Sequence, residues 1–225
     1  MKISEVKKSF GHFSLHLEKM EFRQGEVYGI IGPNGCGKTT AMKLLAGLLK
    51  PDSGHIDYQN LGQRDITMVF RKPYLLHDTV LRNLTYPLKI RGLKPEEAQL
   101  KRVLEPAGLW ACREGYAPGL SSGEQQKLAL LRAMIFSPKL LLIDEAFSNL
   151  DMESASLFEE LILARQREEP VITILCAHQL SHIRRLCDYT FFLQGGRVLA
   201  EGPTEELLGQ PENPLLQKYL QYVGR

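Results

Sequence analysis

No stretch of this sequence is long and apolar enough to cross a bilayer. Its apolar runs are short, Leu140 to Ile143 and Val171 to Ala177 with Thr173 inside, against the roughly 20 residues that a spanning helix needs. Work at a membrane would therefore require docking onto another chain. A secretory signal is also missing, because Met1 to Lys8 is charged and has no apolar centre. Paired cysteines are absent. Cys36, Cys112, Cys176 and Cys187 form no C-x-x-C motif, so they read as free thiols of a reducing cytosol. Excess charge is scarce too. The 28 basic and 26 acidic residues leave a formal +2, which gives no argument for nucleic acid or an anionic membrane surface. There is no internal repeat, low-complexity tract or long linker. The 225 residues, 44% apolar and 24% charged, suit one sizeable domain over 1–225.

The opening reads as β-structure, with Phe13, Leu15 and Leu17 alternating with polar residues as in a half-buried strand. Glu26 to Ile31 is a short apolar strand running into a glycine-rich turn, and Lys38 to Leu49 is predicted to be a helix with Gly47 as a blemish. Residues 54–58 and 66–70 are further strand candidates. From about 72 to 137 the character is helical, and Pro95 with Glu96 and Glu97 predicts a helix start with proline in its first turn. Beyond Lys139 strands and helices alternate: 139–143, 153–168, 171–176, 179–186 and 189–193. That order predicts an α/β fold with a mostly parallel sheet, interrupted at 72–137 by an inserted helical sub-domain.

Gly32-Pro33-Asn34-Gly35-Cys36-Gly37-Lys38-Thr39 fits G-x-x-x-x-G-K-[ST] at every fixed position. It follows a strand and opens a helix, the context that the motif requires. Glycines let backbone N–H groups turn inward around phosphate oxygens, and the helix start adds the positive end of its dipole. Lys38 supplies a point charge for the β- and γ-phosphates. Thr39 offers a hydroxyl to Mg²⁺, and Thr40 supports the α-phosphate. Leu140 to Ile143 then forms a buried strand ending in Asp144 and Glu145, and ligands bind beyond the C-terminal ends of such strands. Asp144 is placed to hold Mg²⁺ through water, and Glu145 to position and deprotonate an attacking water. Without the phosphate loop upstream, the two acids would equally suit a solvated helix cap. Cys176, His178, His182 and Cys187 lie near one another, but their spacing matches no usual zinc pattern; Cys176 is expected inside a buried strand and Cys187 on a helix packing against the sheet.

At Leu120-Ser121-Ser122-Gly123-Glu124-Gln125-Gln126 the chain resembles the signature motif of ABC (ATP-binding cassette) ATPases. The resemblance covers essentially the whole chain in the family's order. It implies a P-loop NTPase fold with a mostly parallel core sheet, an N-terminal antiparallel β sub-domain and an inserted helical sub-domain. Phe10 resembles the aromatic that stacks on adenine, Gly32 to Thr40 the Walker A loop, and Asp144 and Glu145 the end of Walker B. Asp151, after Ser148-Asn149-Leu150, is similar to the D-loop aspartate, and His178 to the switch histidine. By that resemblance two copies sandwich two ATP molecules head to tail. Leu120, Ser121, Ser122, Gly123 and Glu124 of one copy then face the other's phosphate loop, and Asp151 crosses the interface. Lys38, Glu145 and His178 are the implied catalytic groups, with ATP and Mg²⁺ as cofactors.

The chain departs from the family at Arg71, where glutamine is usual. Arginine has no acceptor for Mg²⁺ and always carries charge, so Arg71 is expected either to alter coupling to the membrane partner or to point away from the nucleotide. Ser122 replaces a usual glycine, which a helix start tolerates. Cys36 lies inside the phosphate loop, where oxidation could block ATP. Residues 79–92 resemble the permease-facing region of bacterial import ATPases. The short stretch after Gly202 implies no large C-terminal regulatory domain, and the tail from Pro203 to Arg225 reads as packing. The expected partners are membrane permease subunits, a second copy of the chain and a solute-binding protein, with no nucleic acid. The expected location is the cytoplasmic face of the cell membrane. The look of the chain is that of an oxyanion importer, of tungstate or molybdate. The motifs leave open an exporter, a lipoprotein-extraction ATPase or a non-transport ABC ATPase.

Overall fold

The computed structural model describes residues 1–223; the last two residues of the predicted tail lie outside them. In chain order the elements are β1 (Lys2–Phe10), β2 (Phe13–Glu21), β3 (Val27–Ile31), α1 (Lys38–Leu45), β4 (Ser53–Asp57) and β5 (Ile66–Val69). There follow α2 (Val80–Lys89), α3 (Glu97–Leu104), α4 (Ser122–Met134), β6 (Leu140–Asp144), α5 (Met152–Glu168), β7 (Ile172–Cys176) and α6 (Leu180–Leu186). The chain closes with β8 (Tyr189–Gln194), β9 (Arg197–Pro203), α7 (Thr204–Gly209) and α8 (Pro214–Val223). No strand interrupts the helical stretch between β5 and β6. Among the described residues no helix is long and apolar enough to cross a membrane.

The strands form one sheet in the order β4-β1-β2-β9-β8-β3-β7-β6-β5. From β8 to β5 every neighbouring pair is parallel, whereas β1 pairs antiparallel with both β2 and β4. The expected α/β architecture, with a mostly parallel core and an antiparallel N-terminal part, is thus the one adopted. Strands β3, β6 and β7 are buried along their whole length, which is why they read as unbroken apolar runs. Their side chains still alternate between two layers. Leu141, Ile143, Leu175, Val27 and Ile31 join a core with the helices α2 to α5. Leu140, Leu142, Ile174, Cys176, Tyr28 and Ile30 join a second core with α1 and the N-terminal strands. A sheet covered on both faces follows, with each fully buried Leu or Ile contributing about 1.5–3 kcal/mol relative to exposure.

Three boundaries differ from expectation. Helix α1 stops at Leu45 rather than Leu49, and Gly47, at φ 70°, belongs to its end. The Gly47 N–H bonds back to the Leu44 carbonyl, so this glycine is a left-handed stop rather than a blemish within the helix. Helix α3 begins at Glu97 with Glu96 as its cap, which leaves Pro95 outside the first turn. Cys187 sits just past α6 in extended conformation, buried beneath Gly29, and so is not on the helix.

The helical stretch is held together internally by one buried polar side chain. Asn83, fully buried on α2, donates to the carbonyls of Leu76 (3.0 Å) and Thr79 (3.0 Å). Its Oδ1 accepts from the Leu76 N–H (2.8 Å) and from Arg132 Nη1 of α4 (3.2 Å). Asn83→Ala strands several of these groups away from water, and a loss of about 2–3 kcal/mol of unfolding free energy is expected. Chemical denaturation checks this, and a loss below about 0.5 kcal/mol would show that the loop re-pairs with solvent.

Candidate functional site

Because β3, β5, β6, β7 and β8 run parallel, their C-terminal ends share one edge of the sheet. The segments leaving that edge carry the predicted groups: Gly32 to Thr39 after β3, Arg71 after β5, Glu145 after β6 and His178 after β7. The register fixes their relative heights. Cys176 stands opposite both Ile30 and Asp144, and the Glu145 N–H bonds to the Cys176 carbonyl at 2.9 Å.

The phosphate loop needs its glycines for different reasons. Gly32 (φ 150°) lies against the backbone of β8, where a methyl group would overlap the Leu193 carbonyl oxygen. Gly37 (φ 109°) is the cap of α1, and a methyl there would come 2.9 Å from the Phe13 ring. That packing also seats the β1–β2 turn beside the loop. It leaves Phe10, at the end of β1, 48% exposed, so Phe10 is available for stacking rather than part of the core. Pro33 and Thr40 are half-buried, and Asn34, Gly35 and Thr39 are exposed. Cys36 is buried, and burial pushes its thiol up from the ordinary range. That keeps it protonated and a poor nucleophile.

Lys38 is buried, and its ammonium donates to the carbonyls of Gly32 (2.8 Å) and Pro33 (3.2 Å). Asp144 is buried at the end of β6. Desolvation pushes its carboxyl up, with the Thr39 hydroxyl acting in the opposite direction. One of its oxygens, Oδ1, has no hydrogen-bond partner although it is buried. A buried, unpartnered carboxylate oxygen beside a hydroxyl is the donor set of a hard cation that keeps most of its own waters.

Glu145 holds a positive φ of 52°, a conformation that costs a non-glycine residue about 1–3 kcal/mol and gathers at functional sites. Its carboxylate is nearly buried and is the focus of the site. Oε1 is 2.9 Å from His178 Nε2 and 3.9 Å from Lys38 Nζ, and Oε2 is 3.2 Å from Arg71 Nη1. Arg71 therefore does not point away from the site, as one of the two sequence expectations had it. Ser148 donates its hydroxyl to the Glu145 carbonyl at 2.9 Å and so closes the turn that aims the carboxylate.

The signature segment lies elsewhere on the same molecule. Ser121 is the N-cap of α4 and forms a capping box with Glu124. Ser122 is the first helical residue, Leu120 and Gly123 are half-buried, and both serines are exposed. The hydrogen bond from Ser121 holds the Glu124 carboxyl below the ordinary carboxylate range. Asp151 caps α5, accepting from the Ser154 N–H at 2.8 Å, and that bond holds its carboxyl low. His178 and His182 serve different partners. His182 Nδ1 is 2.6 Å from Glu159 on α5, whereas His178 faces Glu145.

Two residues near the site escaped the sequence reading of roles. Gln126, fully buried on α4, donates to the Phe70 carbonyl at 3.3 Å. Its signal was available: it shares a helical face with Ala129, Leu130 and Ala133, all buried, where an amide is out of place. The Tyr219 ring of α8 lies 5.4 Å from that of Phe192 on β8, tilted by 38°. Burial pushes its phenol up, with the Gly32 backbone pulling the other way. The tail thus reaches the start of the phosphate loop, and only the fold could reveal that.

Residues 15–148 match the family profile described as ABC transporter. The chain is 37% identical over 203 residues to the tungstate uptake system ATP-binding protein TupC of Peptoclostridium acidaminophilum, covering 87% of this chain and 95% of that one. It is 34% identical to the methionine import ATP-binding protein MetN of Caulobacter vibrioides, covering 97% of this chain and 70% of that one. Among solved structures, an ATP-binding subunit of an ABC transporter superposes with a TM-score of 0.83 at 23% identity, over 100% of this chain and 99% of that one. The cbiO1 subunit of Clostridium perfringens, part of the ABC transporter complex cbiONQ, superposes with a TM-score of 0.74 at 25% identity, over 94% and 91%.

Proposed function

The chain belongs to the ABC transporter family as an ATP-binding subunit, and from that premise we propose that it powers uptake of a tungstate-like oxyanion through a separate membrane permease. The observation that carries the ATPase reading is the meeting of Lys38, Asp144, Glu145 and His178 at one sheet edge, beside a glycine loop that opens a helix. The oxyanion reading is supported by the likeness to TupC over 95% of that protein's length.

ATP binds with its phosphates in the cradle of Gly32 to Thr40, and Lys38 turns from the loop carbonyls to the β- and γ-phosphates. Phe10 stacks on adenine, a contact of about 1–3 kcal/mol by analogy with base–aromatic stacking. Thr39 and Asp144 would hold Mg²⁺, a fit supported by the unpartnered Oδ1 of Asp144, and the ion would neutralise charge on the phosphate oxygens. Glu145 takes a proton from the water that attacks the γ-phosphorus as the bond to the ADP oxygen breaks. His178, at 2.9 Å from Glu145, is placed to meet the charge that develops on the γ-phosphate.

A second copy completes each site. The start of α4, Ser121 to Gly123, faces the partner's γ-phosphate, with the helix dipole favouring the anion, and Asp151 lies at the interface. Residues 72–137 act as the sub-domain that meets the permease at the cytoplasmic face of the membrane, in a system that includes a solute-binding protein. Affinity capture of the tagged chain from gently solubilised membranes tests this reading. A multi-span permease, with an oxyanion-binding protein encoded beside it, is the expected result. Capture of soluble partners alone would overturn transport.

A further inference from the structure

Resting on the ATPase reading of this site, we propose that Arg71 is a brake: it occupies the oxygen of Glu145 that must receive the proton, and so suppresses turnover until the site closes. The two carboxylate oxygens are not equivalent. Oε1 is shared by His178 at 2.9 Å and Lys38 at 3.9 Å, both of which have work to do at the γ-phosphate. Oε2 is held at 3.2 Å by Arg71, which has no such task. Guanidinium offers donors only and does not give up its proton. While the guanidinium sits beside Oε2, a water there competes with a neighbouring cation for that oxygen.

The geometry also makes the brake releasable. The Glu145 side chain is 10% exposed, but that of Arg71 is 65% exposed, so the guanidinium can exchange this contact for water at small cost. Its backbone is tethered to two parts of the molecule with other roles. The Phe70 carbonyl accepts from Gln126 on the signature helix at 3.3 Å, and the Arg71 carbonyl has a long contact with Asn149 Nδ2 at 3.5 Å. Gln126 lies on the same helix as Ser121 to Gly123, and Asn149 two residues before Asp151. A shift of α4 or of the 148–151 segment relative to β5 therefore moves Arg71 against Glu145. Arg71 is a positioning residue acting through Glu145, and it links release of the base to movement of this copy's own signature helix, which must settle against the second copy's site as the pair closes. Glutamine at this position has no charge to hold the carboxylate, so the device belongs to this chain's own departure at Arg71.

The test is steady-state ATP hydrolysis by the purified full-length chain, with kcat and KM determined separately for the parent, Arg71→Gln and Arg71→Lys. Arg71→Gln is expected to raise kcat roughly two- to five-fold, the size of a partly exposed ion pair, with KM for ATP unchanged. Arg71→Lys, which keeps the charge but loses the fork, is expected to stay within about twofold of the parent. A structural role would lower kcat or the melting temperature; it would not raise turnover. An unchanged or lower kcat in a well-folded Arg71→Gln protein overturns the brake. Glu145→Gln, measured alongside, reports on the base itself. If it retains full turnover, the site assignment fails whatever Arg71 does, so the two failures are told apart.

Discussion

Glu145→Gln is expected to lower kcat by about 10²–10⁴-fold while leaving ATP binding intact. By transition-state arithmetic that is about 3–5.5 kcal/mol of lost stabilisation. The substitution keeps the shape and the amide can still accept a hydrogen bond, but it removes the proton acceptor. The fold should survive. Glutamine meets the positive φ of 52° at the same cost as glutamate, and the Glu145 N–H still bonds the Cys176 carbonyl. What changes is the electrostatics, because His178, Lys38 and Arg71 lose their common counter-charge. Anion binding at the loop should hold or tighten as a result. Phosphate release at saturating ATP, set beside nucleotide binding by calorimetry, separates the two quantities. Turnover within tenfold of the parent would reassign the base. Lost binding with lost turnover would mean instead that the carboxylate organises the loop.

Gly32→Ala is expected to be the most damaging single substitution in the phosphate loop, and Gly35→Ala a mild one, although both residues hold positive φ. At Gly35 (φ 77°) a methyl group meets nothing within 4 Å, so the cost is that of a left-handed alanine, about 1–2 kcal/mol. At Gly32 the methyl would overlap the Leu193 carbonyl oxygen and come 2.9 Å from Cys36 Sγ. Leu193 belongs to β8, which is hydrogen-bonded to β3 on one side and β9 on the other, so the oxygen cannot retreat. The loop must move instead. A cost of about 3–5 kcal/mol is expected from combined strain and overpacking. At about 2–4 °C per kcal/mol for a chain of this size, the melting temperature should fall by about 10 °C. ATP affinity should fall at least about tenfold, because a 1.4 kcal/mol loss of loop geometry suffices for that. Thermal melts and nucleotide titration of the two variants check the contrast. Equal effects would show that φ alone governs the loop.

Much of the fold was legible where local signals and tertiary demands agreed. The apolar runs of β3, β6 and β7 are buried on both faces, so nothing in their neighbourhood reverses what composition implies. Leu48 and Leu49 continue the apolar pattern of α1 beyond its true end at Leu45, yet Leu48 is 60% exposed. Gly47 stops the helix through its backbone, a signal that periodicity does not carry. Proline favours a first turn, but in α3 the acid after Pro95 takes the cap position and proline stands one residue outside. Cys187 lies past the helix that its neighbours suggest, because the chain must extend there to enter β8.

The sequence by itself determined the chemistry available: a glycine loop ending in Lys38 and Thr39, a strand ending in Asp144 and Glu145, and a histidine at 178. These are local features, since a motif is a run of residues whose spacing survives in any fold that keeps its strand and helix. It also marked Arg71 as a departure. What Arg71 touches was beyond it, because 74 positions separate Arg71 from Glu145 in the chain and only parallel pairing of β5 with β6 brings them to 3.2 Å. The same holds for Gln126 under Phe70 and for Tyr219 near Gly32. Tertiary structure decided which charges share an oxygen. Side-chain contacts across a sheet depend on strand order and register, and those are set by the packing of the whole core.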